Sequence, residues 1–129
     1  MKMKLENCQY KTHDNNIINY YETDSNNHIL LIIHAQSANS SSYSSVIKKL
    51  SKKFHLIIID CYGHGKSSHN KEKYNIISQG DDLIEFIQYK TAEKISILGH
   101  SSGGLIACYI ASKSDLCNNM ILEDPPLFS

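Results

Sequence analysis

Short, nearly continuous apolar runs within residues 28–34, 54–60 and 94–98 constrain this chain most. A strand exposed on one face alternates apolar and polar residues. A run without that alternation suits a strand covered on both faces, as in a parallel sheet flanked by helices. These runs are also far too short to span a bilayer. Between them lie segments with helical spacing. Residues 42–53 place Tyr43, Val46, Ile47 and Leu50 on one face, and residues 74–89 place Ile76, Ile77, Leu83, Ile84 and Ile87 inward. A third helix is expected over 105–114 and a last short strand over 119–123, stopped by Asp124-Pro125-Pro126. Residues 8–13 and 17–23 read as an opening hairpin that turns at Asp14-Asn15-Asn16. The alternation predicts an α/β fold with a mostly parallel sheet of about six strands and flanking helices, in a single domain over 1–129.

Each buried strand ends in polar, chemically distinctive residues, at the edge where parallel α/β sheets bind ligands. The ends are His34-Ala35-Gln36-Ser37, the stretch Asp60-Cys61-Tyr62-Gly63-His64-Gly65-Lys66-Ser67, Gly99-His100-Ser101-Ser102-Gly103, and Glu123-Asp124-Pro125. The third is Gly-x-Ser-x-Gly between a strand and a helix. There a serine is presented on a sharp turn, and the glycines allow close helix–strand approach. Gly65-Lys66-Ser67 looks like the end of a phosphate loop. That loop needs glycine where Asp60 stands, and a carboxylate there would repel phosphate.

Taken in order, His34-Ala35-Gln36, Asp60-x-x-Gly63-x-Gly65-x-Ser67 and Gly99-His100-Ser101-Ser102-Gly103 resemble the motifs of the α/β-hydrolase family. One departure is Ala35, where the family carries glycine. The resemblance implies a serine hydrolase acting on an ester or related acyl bond of a small molecule, without cofactor or metal. Ser101 would be the nucleophile, and the backbone N–H groups of Gln36 and Ser102 would form the oxyanion hole. Glu123 or Asp124 is the candidate acid. His34 and His100 either contact substrate or fill space near the loops.

The resemblance covers the N-terminal portion of that fold, ending after the strand that follows the nucleophile turn. The family's histidine base follows the acid in chain order, and no histidine follows Ser101 among the 129 residues. Three expectations result: a truncated hydrolase with little activity alone, a half completed by a separate C-terminal chain, or a non-catalytic binding module. The strand at 119–123 is expected to be an open sheet edge prone to self-association.

Lys+Arg and Asp+Glu balance at 13 each, so no net field draws the chain toward nucleic acid or an anionic membrane. The N-terminal Met1-Lys2-Met3-Lys4 stretch lacks the apolar core of a secretion signal. Cys8, Cys61, Cys108 and Cys117 show no metal-type spacing, so reduced thiols and a cytoplasmic location are expected.

Overall fold

A computed structural model describes residues 4–34 and 41–123. The chain runs β1 (Leu5–Lys11), β2 (Ile17–Thr23), β3 (Ile29–His34), α1 (Ser41–Leu50), β4 (His55–Asp60), a 3₁₀ turn (Lys71–Lys73), α2 (Ile76–Lys90), β5 (Ile95–His100), α3 (Ser102–Lys113) and β6 (Cys117–Glu123). The described strands form one six-stranded sheet in the order β1-β2-β4-β3-β5-β6. β1, β2 and β4 pair antiparallel, and β4, β3, β5 and β6 pair parallel.

The continuous apolar runs are explained by two cores, one on each face of the sheet. Leu31, Ile33, Ile57, Ile59, Ile95 and Ile97 pack with Leu83, Phe86 and Ile87 of α2 and Ile106, Ala107 and Ile110 of α3. The alternate residues Leu30, Ile32, Leu56, Ile58 and Leu98 pack on the other face with Ile47, and with Leu50 and Phe54 at its margin. Successive side chains on a strand point to opposite faces, so the strands sandwiched between these helices need apolar residues at almost every position.

Helix phases depart from the sequence reading in particular places. Ile77 is 60% exposed and Val46 44% exposed, whereas Phe86 is fully buried and stacks on Tyr10 and Tyr20. The α2 helix begins after Asn75, whose side chain accepts the Ser78 N–H, so Ile77 falls in the first turn on the solvent side. Helix α3 starts at Ser102 rather than 105, taking Gly103 and Gly104 into its buried face. Strand β6 starts at Cys117, pairs only with β5 among the described residues, and leaves Ile121 55% exposed.

Beside the β1–β2 turn, polar side chains tie three elements together. Lys73 Nζ lies 2.6 Å from Asp14 and 3.3 Å from Asp82, which is almost fully buried. Tyr62 donates its hydroxyl to Asp82 at 2.7 Å, and Tyr10 donates to Glu85 at 2.5 Å.

Candidate active site

The register of the parallel strands brings four motif residues into one row at their C-terminal ends. His34 pairs with Asp60 on one side and with His100 on the other, and His100 pairs with Glu123. Ser101 follows this row directly. Its backbone has φ 57° and ψ −125°, a conformation that a non-glycine residue rarely adopts. Two backbone hydrogen bonds hold it there: Ser101 N–H donates to the Glu123 carbonyl at 2.8 Å, and Gly104 N–H donates to the Ser101 carbonyl at 2.9 Å.

The motif glycines permit the close approach that this turn requires. A Cβ on Gly103 would lie 2.2 Å from the Ile33 carbonyl oxygen, and one on Gly99 would lie 2.6 Å from the Gly103 carbonyl oxygen. Both obstacles are backbone, which cannot swing aside. The Ser101 hydroxyl makes no capping bond to α3, and the Ser102 N–H belongs to the first helical turn, where amides have no intrahelical acceptor. A half-buried hydroxyl on a fixed turn beside such an amide can attack a carbonyl and stabilise the oxyanion that forms.

Glu123 and His100 meet each other: His100 Nε2 lies 3.6 Å from the Glu123 carboxylate. Glu123 thus reaches this turn twice, through its carbonyl and through its side chain. Gln36, Ala35 and Asp124 lie outside the described residues. His34 closes β3 in the row given above.

The loop after β4 folds around its own carboxylate. Asp60 is buried and accepts from Asn19 Nδ2 at 2.9 Å and from Lys66 N–H at 3.1 Å. The place where a phosphate loop would cradle its ligand is therefore occupied by Asp60, and Lys66 Nζ donates to Asn7 at 3.0 Å. Gly65 has φ 53°, and a Cβ there would lie 2.2 Å from the Asp60 carboxylate. This loop is a structural turn.

A cavity of about 240 Å³ opens between this loop, the start of α2 and the first turn of α3, with Ser102, Ile106, Tyr62, Tyr74 and Gln79 among its walls. Cys61 also reaches it, but burial, with Asp60 adding, pushes its thiol up to about 12, so it stays protonated at neutral pH. His64 falls within the strand-end stretch 60–67, whereas Tyr74 and Gln79 had no distinguishing signal in the sequence, because the cavity is made by segments far apart in the chain. Among the described residues, one group has the chemistry of metal ligands: His13, Asp82 and Glu85, with ligand atoms within 4.8 Å of one another. Lys73 already neutralises Asp82, and Tyr10 and His13 engage Glu85, so the group is a polar clamp.

A profile of the α/β hydrolase fold matches residues 28–129. The chain belongs to the α/β-hydrolase family. It is 29% identical over 102 residues to a human serine hydrolase-like protein, which covers 77% of this chain and 50% of that protein. It is 28% identical over 96 residues to a putative esterase/lipase of Haemophilus influenzae, covering 74% of this chain and 32% of that one. The solved structure of a bacterial membrane phospholipase A superposes with a TM-score of 0.83 at 26% identity, over 94% of this chain and 40% of that one. The chain spans between 24% and 50% of the length of the curated relatives it matches. Among its own described residues, no helix is long and apolar enough to cross a membrane.

Proposed function

We propose that this chain carries the nucleophile and part of the oxyanion hole of a serine hydrolase acting on an ester or related acyl bond. The observation that supports the reading is Ser101 at φ 57° on a strand-to-helix turn, directly before a helix whose first amides lack helical partners. In the reaction, Ser101 Oγ bonds to the acyl carbon while the carbonyl electron pair moves onto oxygen, facing the N–H groups of Ser102 and Gln36. Collapse re-forms the carbonyl and expels the alcohol, which takes up the proton lost by serine. Water then repeats the sequence to release the acid.

A serine hydroxyl needs a base, and residues 102–129 contain no histidine. His100 faces Glu123. The hydrolase reading therefore needs a base beyond those residues, on a further segment or a second chain, and predicts low activity for residues 1–129 assayed alone. Glu123 or Asp124 serves as the acid. The missing histidine also favours a second reading, a module that binds ligand or partner without catalysis.

A fluorophosphonate probe separates the two readings. Without a base the Ser101 hydroxyl is a weak nucleophile, but the turn presents it beside the Ser102 amide, so attack on phosphorus is slowed rather than abolished. Slow labelling of Ser101, absent in Ser101→Ala, is the expected result. Folded protein that stays unlabelled over days would leave the binding module.

A further inference from the structure

The cavity beside Ser102 has a composition of its own. None of the described residues lining it is acidic, although Asp and Glu together number 13 in the chain. Several of its polar groups are already committed. Asn75 Oδ1 accepts the Ser78 N–H at 2.8 Å while its Nδ2 donates to the Glu72 carbonyl at 3.2 Å. Tyr62 turns its hydroxyl away to Asp82 and offers only its ring.

Gln79 is different. Its Oε1 accepts the Tyr62 backbone N–H at 3.3 Å. A backbone N–H can only donate, so it fixes which end of the amide is oxygen and leaves the NH₂ end as a donor. Ser102 Oγ, the Tyr74 hydroxyl and the His64 ring are the other side-chain polar groups on the walls, and Ile106 supplies an apolar one. Gly63 makes room for Tyr74: a Cβ there would lie 2.9 Å from its ring, at a φ of 83°. The volume, about 240 Å³, lies below the ~300–1,000 Å³ of pockets that take drug-sized ligands.

We propose that this cavity is the acyl subsite, and that it takes short acyl groups ending in a hydrogen-bond acceptor, such as a four-carbon dicarboxylic half-ester, held by the Gln79 amide. The proposal rests on Ser101 being the nucleophile. The first residue of α3 supplies both the amide next to Ser101 and part of this wall, so the cavity begins one residue from the serine. A hydrocarbon chain would leave the Gln79 donor unmet.

The test uses the 129-residue chain as Ser101→Ala, with monomethyl succinate as probe and methyl pentanoate as its apolar counterpart. The Gln79 side-chain amide is followed by ¹H–¹⁵N NMR. Saturable shifts of that amide with monomethyl succinate, at least ten-fold weaker with methyl pentanoate, are expected. Gln79→Glu, followed through the backbone amides of Tyr62 and Ser102, keeps the acceptor for Tyr62 N–H and replaces the donor with a carboxylate oxygen. It should weaken monomethyl succinate at least ten-fold. Equal binding of the two esters, or undiminished succinate binding by folded Gln79→Glu, overturns the subsite. If the amide titrates as expected but fluorophosphonate never labels Ser101 in the unsubstituted protein, the acyl role is overturned and the catalytic reading fails with it.

Discussion

At Ser101 two demands conflict, and the conflict can be measured. Its backbone conformation costs a side-chain-bearing residue about 1–3 kcal/mol, yet the hydroxyl cannot be presented on this turn without a side chain. Glycine adopts φ 57° freely, but it adds about 0.4–1 kcal/mol of unfolded-chain entropy. Ser101→Gly should therefore raise stability by about 1 kcal/mol, whereas Ser101→Ala keeps the strain and should not. Urea unfolding of both variants checks this. A Ser101→Gly no more stable than Ser101→Ala would mean that the turn is unstrained. The strain was legible from five consecutive residues because the cause is local: a Gly-x-Ser-x-Gly pattern between a strand and a helix leaves the chain few ways to turn. The Gln79–Tyr62 bond was not legible. It joins residues seventeen positions apart, and no feature of either residue announces the other.

At the scale of elements, the strands were easier to read than the helices. A strand buried on both faces needs no phase, so the runs ending at His34, Asp60 and Leu98 identified themselves, the last falling two residues short of where β5 ends. A helix has a phase, and α2 shows how it slips: the start is set by Asn75 capping Ser78, which turns Ile77 outward and Phe86 inward. What anchors the start of α2 is the polar clamp. Hydrogen bonding to Lys73, with Thr12 adding, holds the Asp14 carboxyl well below its ordinary value of 3.8, and Asp14 raises the Lys73 ammonium in turn. A lowered carboxylate contributes stability that is complete above its ordinary range and is lost as pH falls through the native value. A raised ammonium contributes until pH climbs past its own native value. Both contributions are therefore present at neutral pH. Lys73→Ala would also leave the buried Asp82 without its cation, at a cost of about 3 kcal/mol near pH 7. The difference between Lys73→Ala and the parent should narrow as the medium is taken down toward about pH 2, because the stability that Lys73 gives through the lowered Asp14 carboxyl is lost on acidification. Urea melts across that range give the answer. A gap independent of pH would assign the loss to packing of the lysine stem.

For the whole molecule, the cores are unevenly closed. β3 has a strand on each side and residues from α1, α2 and α3 in the cores over its faces, whereas β6 hydrogen-bonds to β5 alone among the described residues. Met120 and Leu122 of β6 pack against the core shared with α3, but Ile121 on the opposite face stands 55% exposed. Leu98, the neighbour of Ile121 across the β5–β6 pair, belongs to the core on that second face. A strand that has no second neighbour among the described residues, and that carries an exposed isoleucine, offers a template for another strand. Local opening should follow the same gradient, because exchange protection tracks the number of partners that must separate. The outward amides of β6 should exchange orders of magnitude faster than those of β3, which open only with global unfolding. Self-association should use the same edge. Ile121→Lys places a charge on it without entering either core, so light scattering should show less association at high protein concentration and unchanged thermal unfolding. If association persists unchanged in Ile121→Lys, chains meet through another surface, and β6 is protected by something other than its sequence.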